Sequence, residues 1–166
     1  MKLKFFVLYF IIIYVQTYAL AQVSIGVDGL TCSMCSNSIY RSLLQAKGVK
    51  EIKMDLNENI AEIYFHQNAV PNFTELSQKV RDAGYSVRFI KVKIYFEEFN
   101  AGFGKAYHFE GNEYIYVGNK KDYLNEPSDV MLIGKEFASK KEFKKWASII
   151  RDFENQQRAN TYFFVF

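Results

Sequence analysis

The chain has 166 residues, a formal net charge of +3 and only two cysteines. That length bounds it to one ordinary domain or two small ones, and a balance so near neutrality supplies no basic field that would gather nucleic acid. One cysteine pair cannot be a disulfide framework for a chain of this size, whereas 12 Tyr, 16 Phe and one Trp favour strands and a sizeable core.

Residues 1–21 read as a secretory signal peptide. Lys2 and Lys4 make a basic start, residues 5–15 form an unbroken apolar run, and Ala19-Leu20-Ala21 is a small-x-small cleavage pattern ahead of Gln22. A transmembrane anchor needs about 20 apolar residues; this run is shorter and stops at Gln16 and Thr17. Cleavage leaves residues 22–166 and takes Lys2 and Lys4 with it, so the charge falls from +3 to +1. No cysteine lies near the cleavage site to carry a lipid anchor. The mature chain is therefore expected to be exported, periplasmic or secreted, where disulfides persist, and to have no membrane span.

Residues 22–90 predict strand, helix, strand, strand, helix, strand. Val23, Ile25 and Val27 alternate with polar or small residues, the mark of a half-buried strand. Cys35, Ile39 and Leu43 then fall at i, i+4 and i+8, so the second cysteine shares a helix face with the apolar stripe, and Gly48 is read as the helix stop. Ile52, Met54 and Leu56 alternate, as do Ala61, Ile63 and Phe65, with Asn57-Glu58-Asn59 as the hairpin between them. Asn72 followed by Glu75 is an N-cap pair; Leu76, Val80 and Ala83 form the buried face of the helix it opens, and Gly84 ends it. Residues 85–89 open the last strand. The order βαββαβ predicts an α+β, ferredoxin-like fold with both helices on one face of an antiparallel four-stranded sheet.

The alternation changes phase at Phe89-Ile90, and Ile90, Val92, Ile94 and Phe96 continue in a new register, which predicts a bulge or a strand running straight into a second unit. No Pro- or Ser-rich linker intervenes, so the two parts are expected to pack together. Residues 91–166 read as a small β-rich unit of unknown role with one C-terminal amphipathic helix. Residues 100–104 are a loop, and residues 107–109 and 114–117 are short strands around a Glu110-Gly111-Asn112 hairpin. Residues 119–129 are a polar loop and residues 130–133 a buried strand. Ser139 and Glu142 form a capping box for a helix that buries Phe143, Trp146, Ala147, Ile150 and Phe153. Residues 162–166 close the chain as a strand.

The chemistry-bearing stretch is Cys32-Ser33-Met34-Cys35, on the turn between the first strand and the first helix. A thiolate pair in such a place either holds a soft metal ion or cycles between dithiol and disulfide. Gly29-Leu30-Thr31-Cys32-Ser33-Met34-Cys35 resembles the metal loop of the heavy-metal-associated domain family, whose members share the βαββαβ order and carry a Gly-Met-Thr-Cys-x-x-Cys loop after the first strand. Ala83-Gly84-Tyr85 is similar to the Gly-Tyr that this family often has before its last strand. The resemblance spans residues 22–90 and implies a non-enzymatic metal-binding domain. Leu30 departs from the family's Met, a nearly volume-conserving swap that should keep the loop intact.

Cys32 and Cys35 are the expected metal ligands. A helix N-terminus, with its orphan N–H groups and dipole, stabilises negative charge and lowers a thiol pKa toward the ligating form. Two thiolates satisfy a linear Cu(I) ion, whereas Zn(II) prefers four tetrahedral ligands. Position 31 is Thr and the nearest acid, Asp28, lies on the strand, so Cu(I) is favoured and Zn(II) or another soft metal is the alternative. Thr-Cys loops in the resembled family are commonly associated with copper, which points the same way. An open two-coordinate site suits transfer to a partner, either a metal-transporting membrane protein or a second metal-binding domain.

Other candidates carry less. Met34 is read as a solvent-edge or partner-contact residue rather than a third ligand, which would strain so tight a loop. Tyr85 either shields the ion, as the resemblance implies, or packs at a sheet edge. His66 and His108 have no second ligand at short spacing and read as surface or packed residues. Met54 and Met131 read as core, and Lys140, Lys141, Lys144 and Lys145 as a solvated helix face. Two other functions stay open at this point: a thiol–disulfide redox protein, although the chain lacks an aromatic-Cys-Gly-Pro-Cys loop, and an interaction module in which the cysteines are a local disulfide staple.

Overall fold

Alternation on the strands and 3.6-residue periodicity on the helices both appear in the computed structural model, which describes residues 22–30, 33–94, 99–100, 102–118, 123–124, 128–153 and 159–166, with the backbone alone at 99, 100, 123 and 124. The elements in chain order are β1 (Gln22–Asp28), α1 (Ser33–Leu44), β2 (Val49–Asp55), β3 (Ile60–Phe65), α2 (Phe73–Asp82), β4 (Ser86–Ile94), β5 (Phe99–Asn100), β6 (Ala106–Phe109), β7 (Asn112–Tyr116), β8 (Tyr123–Leu124), β9 (Ser128–Ile133), α3 (Lys140–Asp152) and β10 (Thr161–Val165). The first six are the expected βαββαβ run. β1 pairs antiparallel with β3 and with β4, and β2 pairs antiparallel with β3, giving the spatial order β2-β3-β1-β4. Val23, Ile25, Ala61, Ile63 and Phe65 bury one sheet face against Ile39 and Leu43 of α1 and Leu76 and Val80 of α2. That face is the ferredoxin-like core.

The sheet does not stop at β4. β9 pairs antiparallel with β4 from Ile94↔Ser128 to Lys91↔Met131, so residues 91–94, expected to open a second unit, are the end of the same strand. β10, β7 and β6 follow, and among the described residues the sheet has eight strands in the order β2-β3-β1-β4-β9-β10-β7-β6. β7 and β10 run parallel, while the other neighbours in this part are antiparallel. All five residues of β10 are buried. Tyr162 and Phe164 face the core shared with α1 and α2, whereas Phe163 and Val165 face a second cluster on the opposite side, where Ile150, Phe143, Trp146 and Phe153 of α3 and its end pack. α3 thus covers the far face of the second half, and the molecule has helices on both sides of one sheet.

The phase change after β1's neighbour is a β-bulge. Gly26 pairs with Phe89 but Val27 pairs with Val87, which leaves Arg88 as the extra residue. Because side chains alternate faces along a strand, one inserted residue resets the parity. Val87, Ile90, Val92 and Ile94 can then all point into the helix-covered core. Gly26 is required opposite the bulge, since a Cβ there would lie 2.6 Å from Cε1 of Phe89.

The second half also grips α2. Phe73, fully buried at the first turn, meets the rings of Tyr162 at 4.7 Å and Tyr114 at 6.3 Å, both edge-on. Such pairs contribute about 0.5–1.5 kcal/mol beyond area burial. The Tyr162 hydroxyl is pushed up in pKa by burial, while hydrogen bonds to the Phe73 backbone and to Thr74 pull the other way. Asn112, buried at the start of β7, donates from Nδ2 to the Pro71 carbonyl at 2.9 Å.

Some local expectations are revised. α1 ends at Leu44, and Gly48 lies in the turn before β2 rather than stopping the helix. Leu56 is outside β2 and exposed, because the Asp55 carboxylate accepts from the N–H groups of Asn57 and Glu58 and turns the chain first. Met54, Met131 and Ala83 are half-buried. Ser139 does cap α3, accepting from Glu142 N–H at 3.3 Å, but the return half of the box is missing: Ser139 N–H donates to the Arg88 carbonyl, and the Glu142 carboxylate takes Lys145 and Trp146. In α3 only Ile150 is fully buried; Phe143, Trp146 and Ala147, with Phe153 just beyond, are half-covered. Within the expected polar loop, residues 123–124 pair with 99–100 as a separate two-stranded piece. Phe96 lies outside the described residues.

Candidate metal centre

The end of β1, the start of α1 and the approach to β4 converge at one end of the first half. Asp28 pairs with Ser86, so Gly29 and Tyr85 are neighbours across the same sheet end. Gly29 sits at φ +90°, a left-handed conformation that favours glycine. A Cβ there would lie 3.7 Å from Cδ1 of Tyr85, an ordinary contact distance, so that ring lies alongside Gly29. Leu30 is 8% exposed and belongs to the main core, so the Met-to-Leu departure keeps its anchoring role.

α1 begins at Ser33, immediately after Cys32 in sequence. Thr31 and Cys32 lie outside the described residues. Cys35 is in the first turn, half-buried and packed against the main core, with the buried residues Ser36, Ile39 and Leu43 behind it. A side chain there lies among the first N–H groups of the helix, whose dipole favours a thiolate. No acidic residue occupies that turn. Met34 is 80% exposed and points to solvent, consistent with a rim residue.

Tyr85 is delivered by the end of α2. Gly84, at φ +89°, donates its N–H to the Arg81 carbonyl, and Tyr85 donates its N–H to the Val80 carbonyl, the paired bonds of a Schellman closure. The start of α2 is fixed by Asn72, whose Oδ1 accepts from Glu75 N–H at 3.0 Å. Capped at both ends, α2 fixes how the chain enters β4 at Tyr85, and the pairing of β4 with β1 sets Tyr85 beside Gly29.

The histidines are elsewhere. His66 follows β3 and is exposed, its N–H donating to the Gly48 carbonyl. His108 is on β6, its side chain 79% exposed and its Nε2 4.0 Å from Oε1 of Glu113. Among the described residues no three His, Cys, Asp or Glu side chains come together in a way that could hold a metal ion. Lys145 is paired with Glu142 at 2.6 Å, and Lys140, Lys141 and Lys144 are exposed. Among the described residues no helix is long and apolar enough to cross a membrane. Sequence reasoning missed one group at this end, Arg88 with the Glu58 carbonyl; its trace in the sequence was the broken alternation.

The family model for the heavy-metal-associated domain matches residues 24–86, from β1 to the first residue of β4. Residues 24–86 are a heavy-metal-associated domain. Over 64 residues this domain is 28% identical to the copper chaperone CopZ of Staphylococcus haemolyticus, a match covering 39% of this chain and 93% of that protein. Over 71 residues it is 31% identical to the copper-transporting ATPase RAN1 of Arabidopsis thaliana; that match covers 43% of this chain and 7% of the ATPase, so the chain spans under a tenth of that relative's length. Among solved structures it is similar to a copper-binding domain from HMA7, a P-type ATPase, with 31% identity, 41% of this chain and 90% of that chain covered, and a TM-score of 0.37.

Proposed function

We propose that this chain is an exported metal carrier that binds one Cu(I) ion between Cys32 and Cys35 and passes it to a partner, without catalysing a reaction. The observation that carries the reading is the place of Cys35. It lies in the first turn of α1, in a heavy-metal-associated domain, with no acid in that turn to complete a harder coordination shell. Two soft thiolates match a linear monovalent ion better than Zn(II), which takes four ligands. The similarity to proteins named as copper chaperones and copper-transporting ATPases supports the same choice.

Transfer then follows from low coordination. A partner's thiolates add to the two-coordinate ion, and Cys32 and Cys35 leave it in turn, so the ion is never released to water. The exposure of Met34 supports a role for its side chain in contacting that partner. The partner is a metal-transporting membrane protein or a second metal-binding domain. The export step rests on residues 1–21 alone.

The test is an anaerobic titration of reduced residues 22–166 with Cu(I) and Zn(II) against a competing chelator, beside Cys32→Ser and Cys35→Ser. One tight Cu(I) per chain, lost in both variants with the far-UV spectrum unchanged, is expected. A chain that takes up no tight metal but readily cycles a disulfide overturns the carrier reading in favour of thiol–disulfide chemistry. Thr31→Asp, which supplies a carboxylate beside Cys32, is expected to improve Zn(II) retention.

A further inference from the structure

Arg88 is the extra residue of the β4 bulge, three positions after Tyr85. Three contacts hold it. Its guanidinium Nη2 donates to the Glu58 carbonyl at 2.6 Å, in the turn between β2 and β3. Its own carbonyl accepts from Ser139 N–H at 2.9 Å, at the N-cap of α3. Its guanidinium also stacks over the ring of Phe89, 5.2 Å from the centroid. Its Nε is buried with no hydrogen-bond partner among the described residues. That group is held at a desolvation cost, which only a well-determined surrounding would keep.

These contacts have a direction. The β2–β3 turn also accepts from β1, through Val27 N–H to the Asn59 carbonyl at 3.0 Å. Arg88 therefore ties β4 to that turn across the last residues of β1, just ahead of Gly29. Only Ser86 and Val87 separate the bulge from Tyr85. A slip of one residue at the bulge would shift the pairing of Ser86 and Val87 with Asp28 and Val27, and Tyr85 would leave Gly29. Ser139 belongs to the second half, so the clamp on the bulge is supplied from outside the heavy-metal-associated domain. Its isolated bridge from Phe89 to Ala138 reinforces the same point.

We infer that Arg88 is a positioning residue of the metal loop: locked by Ser139 and Glu58, it fixes the bulge register that sets Tyr85 against Gly29 and so slows loss of the metal. The proposal rests on Cys32 and Cys35 being the ligands, and it goes beyond that reading by giving the second half a task, restraint of the metal-bearing end.

The experiment uses residues 22–166 with Arg88→Met, which keeps an apolar stem over Phe89 and removes the donor, and Arg88→Lys, which retains one. Two readouts are taken. The first is the Gly29 amide and Tyr85 ring resonances of the reduced, metal-free protein. The second is the rate at which a chelator strips Cu(I). In Arg88→Met the Gly29 and Tyr85 signals are expected to move and Cu(I) to leave about tenfold faster, the low end of what outer-shell partners of metal ligands control; Arg88→Lys is expected to restore much of both. Unchanged Gly29 and Tyr85 signals in a folded Arg88→Met protein overturn the proposal. So do shifted signals with an unchanged stripping rate. If Arg88→Met does not fold, Arg88→Lys decides alone: wild-type signals and rate support the donor role, and displaced signals with a wild-type rate refute it. Failure of the wild type to bind Cu(I) refutes the carrier reading and the retention claim with it, while the resonances still report whether Arg88 positions the loop.

Discussion

The two halves of the sheet bury their strands in different ways. In the first half, β1, β2, β3 and β4 turn one face to α1 and α2, and the other carries Glu51, Lys53, Glu62, Tyr64 and Lys91 toward water, with Lys53 lying over Tyr64. In the second half, β10 is covered on both faces and contributes aromatic rings to two separate clusters. A one-sided sheet can be an independent module whose chemistry sits in its loops. A two-sided strand needs partners on both faces, and here one set of partners belongs to the first half. The difference teaches that the extension borrows α2 as part of its own core, through Phe73, and gives back a clamp at the bulge.

The sharpest way to break this comparison is to remove residues 95–166. That uncovers the β4 edge and the Phe73 ring, and the remaining chain is expected to lose its cooperative melt and self-associate, as seen by circular dichroism and size-exclusion chromatography. A remnant that melts as sharply and as high as the whole chain would show the halves to be independent. Next in size is Phe73→Ala, expected to cost about 3–5 kcal/mol. In urea, Trp146 fluorescence and far-UV ellipticity should shift together, because Phe73 serves both halves; a shift of one probe alone would separate them. Gly26→Ala is expected to cost about 1–3 kcal/mol through overpacking. Its Cβ would meet Phe89, so pairing it with Phe89→Leu should recover part of the loss in a double-mutant cycle.

The smallest expected effect lies in α3. Lys145, followed by the Trp146 N–H, holds the Glu142 carboxyl below its ordinary range. A depressed carboxylate stabilises the fold above its unfolded pKa and loses that contribution as the pH falls through the folded value. Glu142→Gln should therefore cost a few tenths of a kcal/mol near neutrality, given how exposed the pair is. The gap between variant and wild-type melting temperatures should close in acid. A gap that persists at low pH would assign the effect to packing.

Features set by neighbouring residues were legible in the sequence. The Asn72 cap, the Ser139 cap and the βαββαβ order follow from local chemistry or period, and the structure shows each; the hairpin expected at Glu110-Gly111-Asn112 is there too, but its turn is residues 110–111 and Asn112 already opens β7. The place of Cys35 on the apolar face of α1 followed from the i, i+4, i+8 spacing. What failed to show was pairing between distant segments. Nothing in residues 128–133 announces that β4 is their neighbour, and two-residue strands such as Phe99–Asn100 and Tyr123–Leu124 have no period to detect. Leu56 satisfied the alternation but fell to a side-chain turn at Asp55. The periodicity of α3 overstated its burial because that helix lies on an outer face, where half-cover is enough. At the candidate site the nearness of Tyr85 to the loop was implied by family resemblance, and Arg88 was visible only as a broken rhythm.

One feature of the topology bears on how the molecule is made. β10 follows every other described strand in the chain, yet it sits between β9 and β7. Until it inserts, those two strands present raw edges and the rings of Phe73 and Tyr114 lack the Tyr162 ring that packs against both. The contact between β7 and β10 spans almost fifty residues, as Thr161↔Glu113 shows. Long loop closures of this kind are paid in entropy before any pairing rewards them. Closure of the second half is therefore expected to come late in folding, with β10 as the keystone that seals the edges of β9 and β7.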